Sequence, residues 1–562
     1  MLERDLTWYE FQELYPSKLR TPLTITFGEV ATHNHFVLDR GGKVFKQTAP
    51  VIKLPAGASE DDHLGLLGLL NSSVACFWLK QVCYPKGGDH VGQEGARVTK
   101  TKWDERYSLN GANVERLPLV ERPPLDLARA LDTNAQTLSA NLPGSACARA
   151  TPTRAVLDGA RAEAEAARAR MIALQEELDW RCYRLYGLLD ETVEHANPPP
   201  LHLGERAFEI VLARHMAAGE VETAWFIRHR STPITDLPAH WPADYRTLVE
   251  RRIALIETDP NIGLIERPEY KRRWSMAPWE EQERDALRLW LLDRLERPEF
   301  WPPADPRILS TTQLADLARQ DEDFRAVAEL YAGPAAADLD ALVAELVAKE
   351  AVPFLAALRY SESGLRKHAD WERTWEMQRA EDRIDAEVAA AMPGAQPGAL
   401  KAARDRRKHA EVGAIPVPPK YRTPDFQSAD FWRLRGGLDV PKERFVSFPH
   451  CARDADGSLP IIWAGYDHLA RARAIATYTV ERKERDGWPP ERLAPLLAGL
   501  LESLPWLRQW HNEYDAEMGT RMGEYYAEFI RGEAQSIGMT EADLAAWTPP
   551  APARRRGRRA AR

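Results

Sequence analysis

The sequence has 562 residues, 44% apolar and 28% charged, the balance of a globular chain rather than a disordered one. At about 100–200 residues per domain it holds about three to five domains. No run of about 18 apolar residues is present, which excludes a membrane-spanning helix. The N-terminus MLERDLTWYEF has no basic-then-apolar leader pattern. Cys76, Cys83, Cys147, Cys182 and Cys451 are irregularly spaced, so neither a disulfide framework nor a zinc module is expected and a reducing cytoplasm is the expected location. The net charge of −9 includes six arginines in the tail Arg554–Arg562, and without them the chain stands at −15. Residues 1–120 carry 14 basic and 14 acidic residues, so the acid excess lies further on. A chain this acidic is not a general nucleic-acid coat, and any DNA contact is confined to a local basic surface.

Residues 1–123 are rich in strand signals. Leu23–Phe27 and Phe36–Leu38 alternate, and Asp39-Arg-Gly-Gly42 predicts a hairpin turn into Lys43–Lys46. Ala49–Leu54 reads as a further strand, Asp62–Leu79 as a helix, residues 86–95 as a loop and Val98–Trp103 as a strand. Thr153 then opens a long helix that Gly187 closes. Leu157, Ala160, Ala164, Ala167, Met171, Leu174 and Leu178 recur 3 and 4 apart along it, a seam for a partner helix such as Leu125–Leu138.

After Pro198-Pro-Pro200 the chain reads as almost all helix from 203 to 380: Glu205–Ala218, Val221–His229, Asp244–Thr258, Trp279–Leu295, Thr312–Ala318, Asp338–Ala357 and Ser361–Glu381. Residues 383–412 read as a mobile or charged-helical segment. A last region opens at Ile415, with strands at Arg444–Ser447 and Pro460–Trp463 and helices at Asp467–Asp486 and Pro490–Asn512. The expected fold is α+β and helix-dominated: a small β-rich unit (1–123), a long helical spacer (124–190), a helical middle region (191–382), a charged linker (383–414), a mixed α/β C-terminal domain (415–550) and a disordered Arg-rich tail (551–562).

Catalytic signatures are absent. No Gly-rich phosphate loop follows a strand, and no GxSxG, HExxH, Walker A or DFG-type string occurs. Asn197-Pro-Pro-Pro200 is similar to the NPP-aromatic loop of amino-methylating enzymes, but Pro stands where an aromatic would stack on the base, so an inter-domain linker is the better reading. Asp425 with Glu481-Arg-Lys483 fits only a loose metal-nuclease string, with Glu481 on a helix. His33 and His35 share a strand face and either touch DNA or pack, with packing favoured for His35. Trp506 and Trp510, four apart on a helix, read as core. The lysines and arginines around the β-rich unit suit phosphate contact, and an ordinary solvated surface is the alternative.

Several stretches carry a resemblance. ATHNHFVLDRGGKVFKQTAPVIKLP (31–55) and LLGLLNSSVACFWLKQVCYPKG (66–87) resemble the specificity region of large adenine-specific DNA methyltransferases. MIALQEELDWRCYRLYGL (171–188) resembles the helical spacer after such a region. Residues 203–229, 261–274, 360–379, 415–449 and 495–515 extend the likeness, so that nearly the whole chain resembles the C-terminal half of the PglX methyltransferases of phage growth limitation (BREX type 2) systems.

The resemblance implies a target-recognition role for 1–123, double-stranded DNA as partner, other phage-defence proteins as further partners, and no membrane. It implies that S-adenosylmethionine belongs to a separately encoded catalytic half, with no catalytic, cofactor or metal residue in this chain. Within the recognition unit, Lys43, Lys46, Lys86, Lys100 and Lys102 are the expected phosphate contacts and Asn34, Gln93 and Arg97 the expected base readers. Leu6, Trp8, Tyr9, Phe11 and Leu14 would cover the catalytic half, and exposed alone they predict self-association or poor solubility. A protein-interaction subunit that docks defence components without methylation is the competing reading.

Overall fold

A computed structural model describes residues 7–9, 21–86, 101–451 and 458–550. It is α+β with helix dominant, as the sequence predicts. The chain divides into two compact units, residues 13–286 and residues 1–12 with 287–562. The boundaries expected near 190 and 414 fall inside these units.

In the first unit Thr24–Phe27 lies between Phe36–Asp39 and Val51–Ile52 in an antiparallel sheet. Alternation sends Ile25, Phe27, Phe36 and Leu38 inward against Leu64, Leu70 and Leu79 of two helices, Glu60–Leu70 and Ser73–Val82. Burying each such side chain contributes about 1.5–3 kcal/mol. The expected hairpin does not form: residues 40–50 run without strand pairing, and Val51–Ile52 takes the edge instead. Arg40 is tied to Glu60 at 2.6 Å and Asp132 at 2.7 Å. Gly41 at φ +96° and Gly42 at φ +81° then carry the chain away in a conformation other residues resist. The strand expected at Val98–Trp103 is, from residue 101 on, a coil entering the 3₁₀ turn Lys102–Asp104.

The single helix expected over Asp62–Leu79 is broken at Asn71-Ser72. Ser72 accepts from the Ala75 N–H and caps a new helix. The Asn71 amide accepts from Phe36 N–H (3.1 Å) and donates to Phe36 O (3.0 Å), as a neighbouring strand's peptide would. Ser73 gives its backbone N–H (2.8 Å) and hydroxyl (2.7 Å) to the Asp179 carboxylate. The string Asn71-Ser72-Ser73 is thus a joint between sheet, helix pair and spacer.

The spacer helix is Arg154–Leu185, capped by Thr153 and left through Gly187 at φ +71°. Every residue of the predicted seam from Leu157 to Leu178 is buried, and the helix packs along Leu125–Ala140. Ala207–Ala217, Trp225–His229, Ala243–Thr258 and Pro260–Ile265 complete this unit.

The second unit is built on a four-stranded sheet in the order Leu309–Ser310, Pro460–Trp463, Phe445–Ser447, Ala351–Pro353, whose last pair is parallel. Its strands come from both sides of the expected 383–414 linker. Glu350 to Pro353, expected as helix, ends the helix Leu339–Ala348 and enters this sheet. The charged segment takes its helical form: Glu362–Ala391 runs on past the predicted end and packs against Pro397–Glu411, with Arg407–Glu387 and Lys408–Asp385 pairs both at 2.8 Å. Helices His468–Glu484, Pro490–Trp510 and Met522–Ser536 pack in succession.

Candidate functional site

Three places hold polar chemistry. The first is the surface where DNA contacts are expected. Lys43 and Lys46 are exposed on the unpaired segment 40–50, Lys86 is exposed beside Glu29 (3.8 Å) and Tyr84, and Lys102 is exposed in its 3₁₀ turn. Lys43 and Lys53 line one shallow cavity of about 350 Å³ with Arg40 and Phe45. Gln93, Arg97 and Lys100 lie outside the described residues.

Asn34 is a correction. It is only 2% exposed, and its amide donates to Leu70 O (2.7 Å) and Ser72 O (3.0 Å), so it closes the end of a helix instead of facing a groove. The histidines also reverse the expectation. His33 is buried with Nδ1 3.0 Å from Cys76 Sγ, and burial holds its pKa well below the ordinary range, while His35 is exposed.

The second place is a closed ion cluster along the spacer. Lys271 Nζ, 1% exposed, lies 2.8 Å from Glu266, 2.9 Å from Asp179 and 3.5 Å from Glu176, and Tyr183 donates to Glu266 at 2.5 Å. Burial alone would lower the ammonium's pKa, but Asp179, Glu176 and Glu266 outweigh it and hold Lys271 above the ordinary lysine range. Glu176 goes the other way. Burial pushes it up to about 7 against the pull of Lys271, and neither of its oxygens has a hydrogen-bond partner. Nearby, Arg206 grips Glu209 with two nitrogens at 2.9 and 3.0 Å, and Trp225 Nε1 donates to Glu209 at 3.0 Å. Lys271 and its three acids are all at most 2% exposed, which makes the cluster a structural joint.

The third place is a cavity of about 570 Å³ in the second unit. One wall is a stripe of the helix Glu362–Ala391: His368, Trp371, Glu372, Trp375, Glu376 and Arg379, spaced 3 and 4 apart. Glu502, Trp506 and Trp510 of the helix Pro490–Trp510 form another, and Arg359, Arg435, Asp439 and Arg471 reach it from elsewhere.

The indoles are linked. Trp375 meets Trp506 edge-on at 5.2 Å, Trp371 stacks on Tyr421 at 6.3 Å, and Trp8 stands on Trp371 and Trp375 at 5.5 and 5.1 Å. Trp8, expected to face outward, is therefore packed within this unit, Tyr9 stacks on Trp375 at 6.0 Å but stays 53% exposed, and Leu6, Phe11 and Leu14 lie outside the described residues. Trp510 is 59% exposed and Trp506 half-buried, so both line a cavity where core packing was expected.

Asp439 adopts a left-handed backbone (φ +51°), which a residue other than glycine holds only at a cost. It accepts from the Tyr360 hydroxyl and lies 3.5 and 3.6 Å from Arg435 and Arg359. Burial lowers the pKa of Arg435 and Arg471, and Arg359 lowers both further. Glu502 is exposed to the cavity, and the loss of water around its carboxylate raises its pKa against the pull of Arg359. His468, stacked on Trp506, is pushed down to about 4 by burial, then by Arg471 and His511.

The remaining sequence candidates have structural duties. The Pro198 carbonyl accepts from Arg170 at 2.5 Å, so the Asn197–Pro200 string lies along the spacer. The Asp425 carboxylate accepts from Ser363, Lys367 and Arg422 N–H, and Gly364 is needed there because a Cβ would stand 1.9 Å from Asp425 O. Among the described residues no group of His, Cys, Asp and Glu is placed to hold a metal ion, and no helix is long and apolar enough to cross a membrane.

This arrangement belongs to a known class by sequence. Residues 171–560 match the DUF7008 family, described as a domain of unknown function, and the chain belongs to that family. Over 560 residues, 98% of its length, the chain is also 47% identical to the protein named Adenine-specific methyltransferase PglX of Streptomyces coelicolor. It spans only 44% of that protein, as expected of a C-terminal half. No solved structure matches the chain.

Proposed function

We propose that this chain is the target-recognition and accessory portion of an adenine-specific DNA methyltransferase acting in phage defence. The identity to PglX along almost the whole chain carries the reading. The first unit lends it a physical form. A small sheet presents Lys43 and Lys46 on an unpaired segment, and Lys86 and Lys102 stand on other exposed stretches of the same unit. The Asn71–Ser73 joint and Asp179 fix that sheet to a rigid helix of 32 residues.

In this reading the lysines neutralise phosphates and hold register on the duplex. S-adenosylmethionine and the chemistry that flips and methylates an adenine belong to a catalytic part outside these residues. Asn34 drops out as a base reader, and Gln93 and Arg97 remain as proposed readers.

The test is duplex binding by fluorescence anisotropy across a salt series. The proposal expects log K to fall linearly with log salt, by about 0.9 per phosphate contact. The variant carrying Lys43→Glu, Lys46→Glu and Lys102→Glu should lose at least about tenfold in affinity and show a shallower slope. Binding that these substitutions leave unchanged, or no binding at low salt with the catalytic part supplied, would overturn it.

A further inference from the structure

The cavity of the second unit has no part in the reading above, and its composition points to a ligand. Four features coincide in it. Its volume of about 570 Å³ suits a small molecule. Trp371, Trp375 and Trp506 supply aromatic faces and edges. Its charges are mixed, with Arg359, Arg379, Arg435 and Arg471 against Glu372, Glu376, Asp439 and Glu502. Asp439 is held in a strained backbone conformation, and its Oδ1, like Nε of Arg435 and Arg471, is buried without a hydrogen-bond partner.

A simple anion would be repelled by half of these groups and a simple cation by the other half. A purely apolar ligand would bury charged groups without replacing their water. The ligand that uses the whole set is planar, aromatic, and carries both donors and acceptors on its edge. A purine base answers this description. Its face stacks on indole, guanidinium groups donate to its ring nitrogen and carbonyl oxygen, and carboxylates accept from its N–H groups. Guanine offers both kinds of edge group at once, with O6 and N7 for arginine and N1–H and N2–H for a carboxylate.

We propose that this cavity is a purine-nucleoside site, with guanine the preferred base, in which Trp371 stacks on the base, Arg471 donates to its acceptor edge and Glu502 accepts from its donor edge. Glu502 fits that role because it opens into the cavity while two contacts from the Ala356 N–H, at 3.2 and 3.3 Å, hold its carboxylate in place. The base recognised here is free or single-stranded, since a base within a duplex has neither face available.

The test is quenching of tryptophan fluorescence in the full chain, titrated with guanosine, GMP, AMP, inorganic pyrophosphate and a short single-stranded oligonucleotide. Guanosine and GMP should both quench saturably and bind at least about tenfold more tightly than AMP, because the carboxylate meets no N1–H on adenine. Trp371→Phe should bind a few-fold more weakly, and Glu502→Gln should reduce the preference for guanine, with thermal melts as in the wild type. Pyrophosphate binding as well as GMP, or the oligonucleotide binding while guanosine and GMP do not, would overturn the proposal. So would equal affinity for GMP in the folded Glu502→Gln variant, or no response to guanosine and GMP at millimolar concentration.

Discussion

The ion cluster around Lys271 and the cavity around Trp371 draw on the same residue types, basic groups, carboxylates and aromatic rings, and put them to opposite uses. In the cluster the basic group is saturated: Lys271 has three carboxylates within 3.5 Å and is 1% exposed. In the cavity Glu372, Glu376 and Glu502 are exposed, Arg359, Asp439 and Arg471 are half-buried, and the indoles keep surface uncovered. Charge in a protein interior is informative only with its accounting. A paired and sealed set holds a fold together, while a lined and open one is shaped for an occupant.

That contrast can be broken most directly by removing one charge from each set. Lys271→Met leaves Asp179, Glu266 and Glu176 buried without their cation and should cost about 3–5 kcal/mol, read by urea denaturation. Arg379→Met, at the half-buried lip of the cavity, loses a guanidinium lying 4.7 Å over Trp506 and should cost no more than about 1 kcal/mol. Equal losses would erase the distinction between the two places.

A smaller effect is expected at the joint. Asn71→Ala leaves the buried N–H and C=O of Phe36 unpaired and removes the side-chain hydrogen bond to Leu67 O at the end of Glu60–Leu70. It should destabilise by about 1–3 kcal/mol, and hydrogen exchange at Phe36 should rise more than at Ile25. Uniform exchange would mean that the amide is not acting as a strand partner.

Glu176 sharpens the comparison through pH. Its carboxyl is raised from 4.5 to about 7 in the folded chain, so the folded state holds a proton that the unfolded chain gives up earlier. Below about pH 4.5 both states are protonated and the group costs nothing. Stability should fall as pH rises from there, with the full penalty in place above about pH 7. Glu176→Gln should remove this slope and be more stable than the wild type at pH 8. A variant less stable at pH 8 would show that the ionised carboxylate supports Lys271.

The sequence carried local features well and long-range ones poorly. The spacer was legible because its buried seam repeats 3 and 4 apart, with Thr153 and Gly187 marking its ends. The four-stranded sheet was not, because strands of two to four residues leave almost no periodic signal and their partners lie up to about 150 positions apart. The turn signal at Asp39–Gly42 does not show that no hairpin forms, because the ion pairs that hold Arg40 reach to Glu60 and Asp132. Asn34 looked accessible as a polar residue beside a strand, yet its partners are carbonyls 36 and 38 positions away.

Lys271 stands in the run KRR, which reads as surface until the fold surrounds it with acids. The cavity had one usable signal, the stripe His368, Trp371, Trp375, Arg379 on an otherwise charged helix. A stripe of that kind reads equally as a packing face until the opposite wall is known.

The central claim is that the first unit meets DNA. It is tested most directly by photo-crosslinking the full chain to duplex DNA and mapping the attached peptides by mass spectrometry. The account predicts crosslinks in residues 40–53 and 86–106, where Lys43, Lys46, Lys86 and Lys102 stand. Crosslinks confined to residues 287–550, or none in a duplex that the chain demonstrably binds, would contradict it.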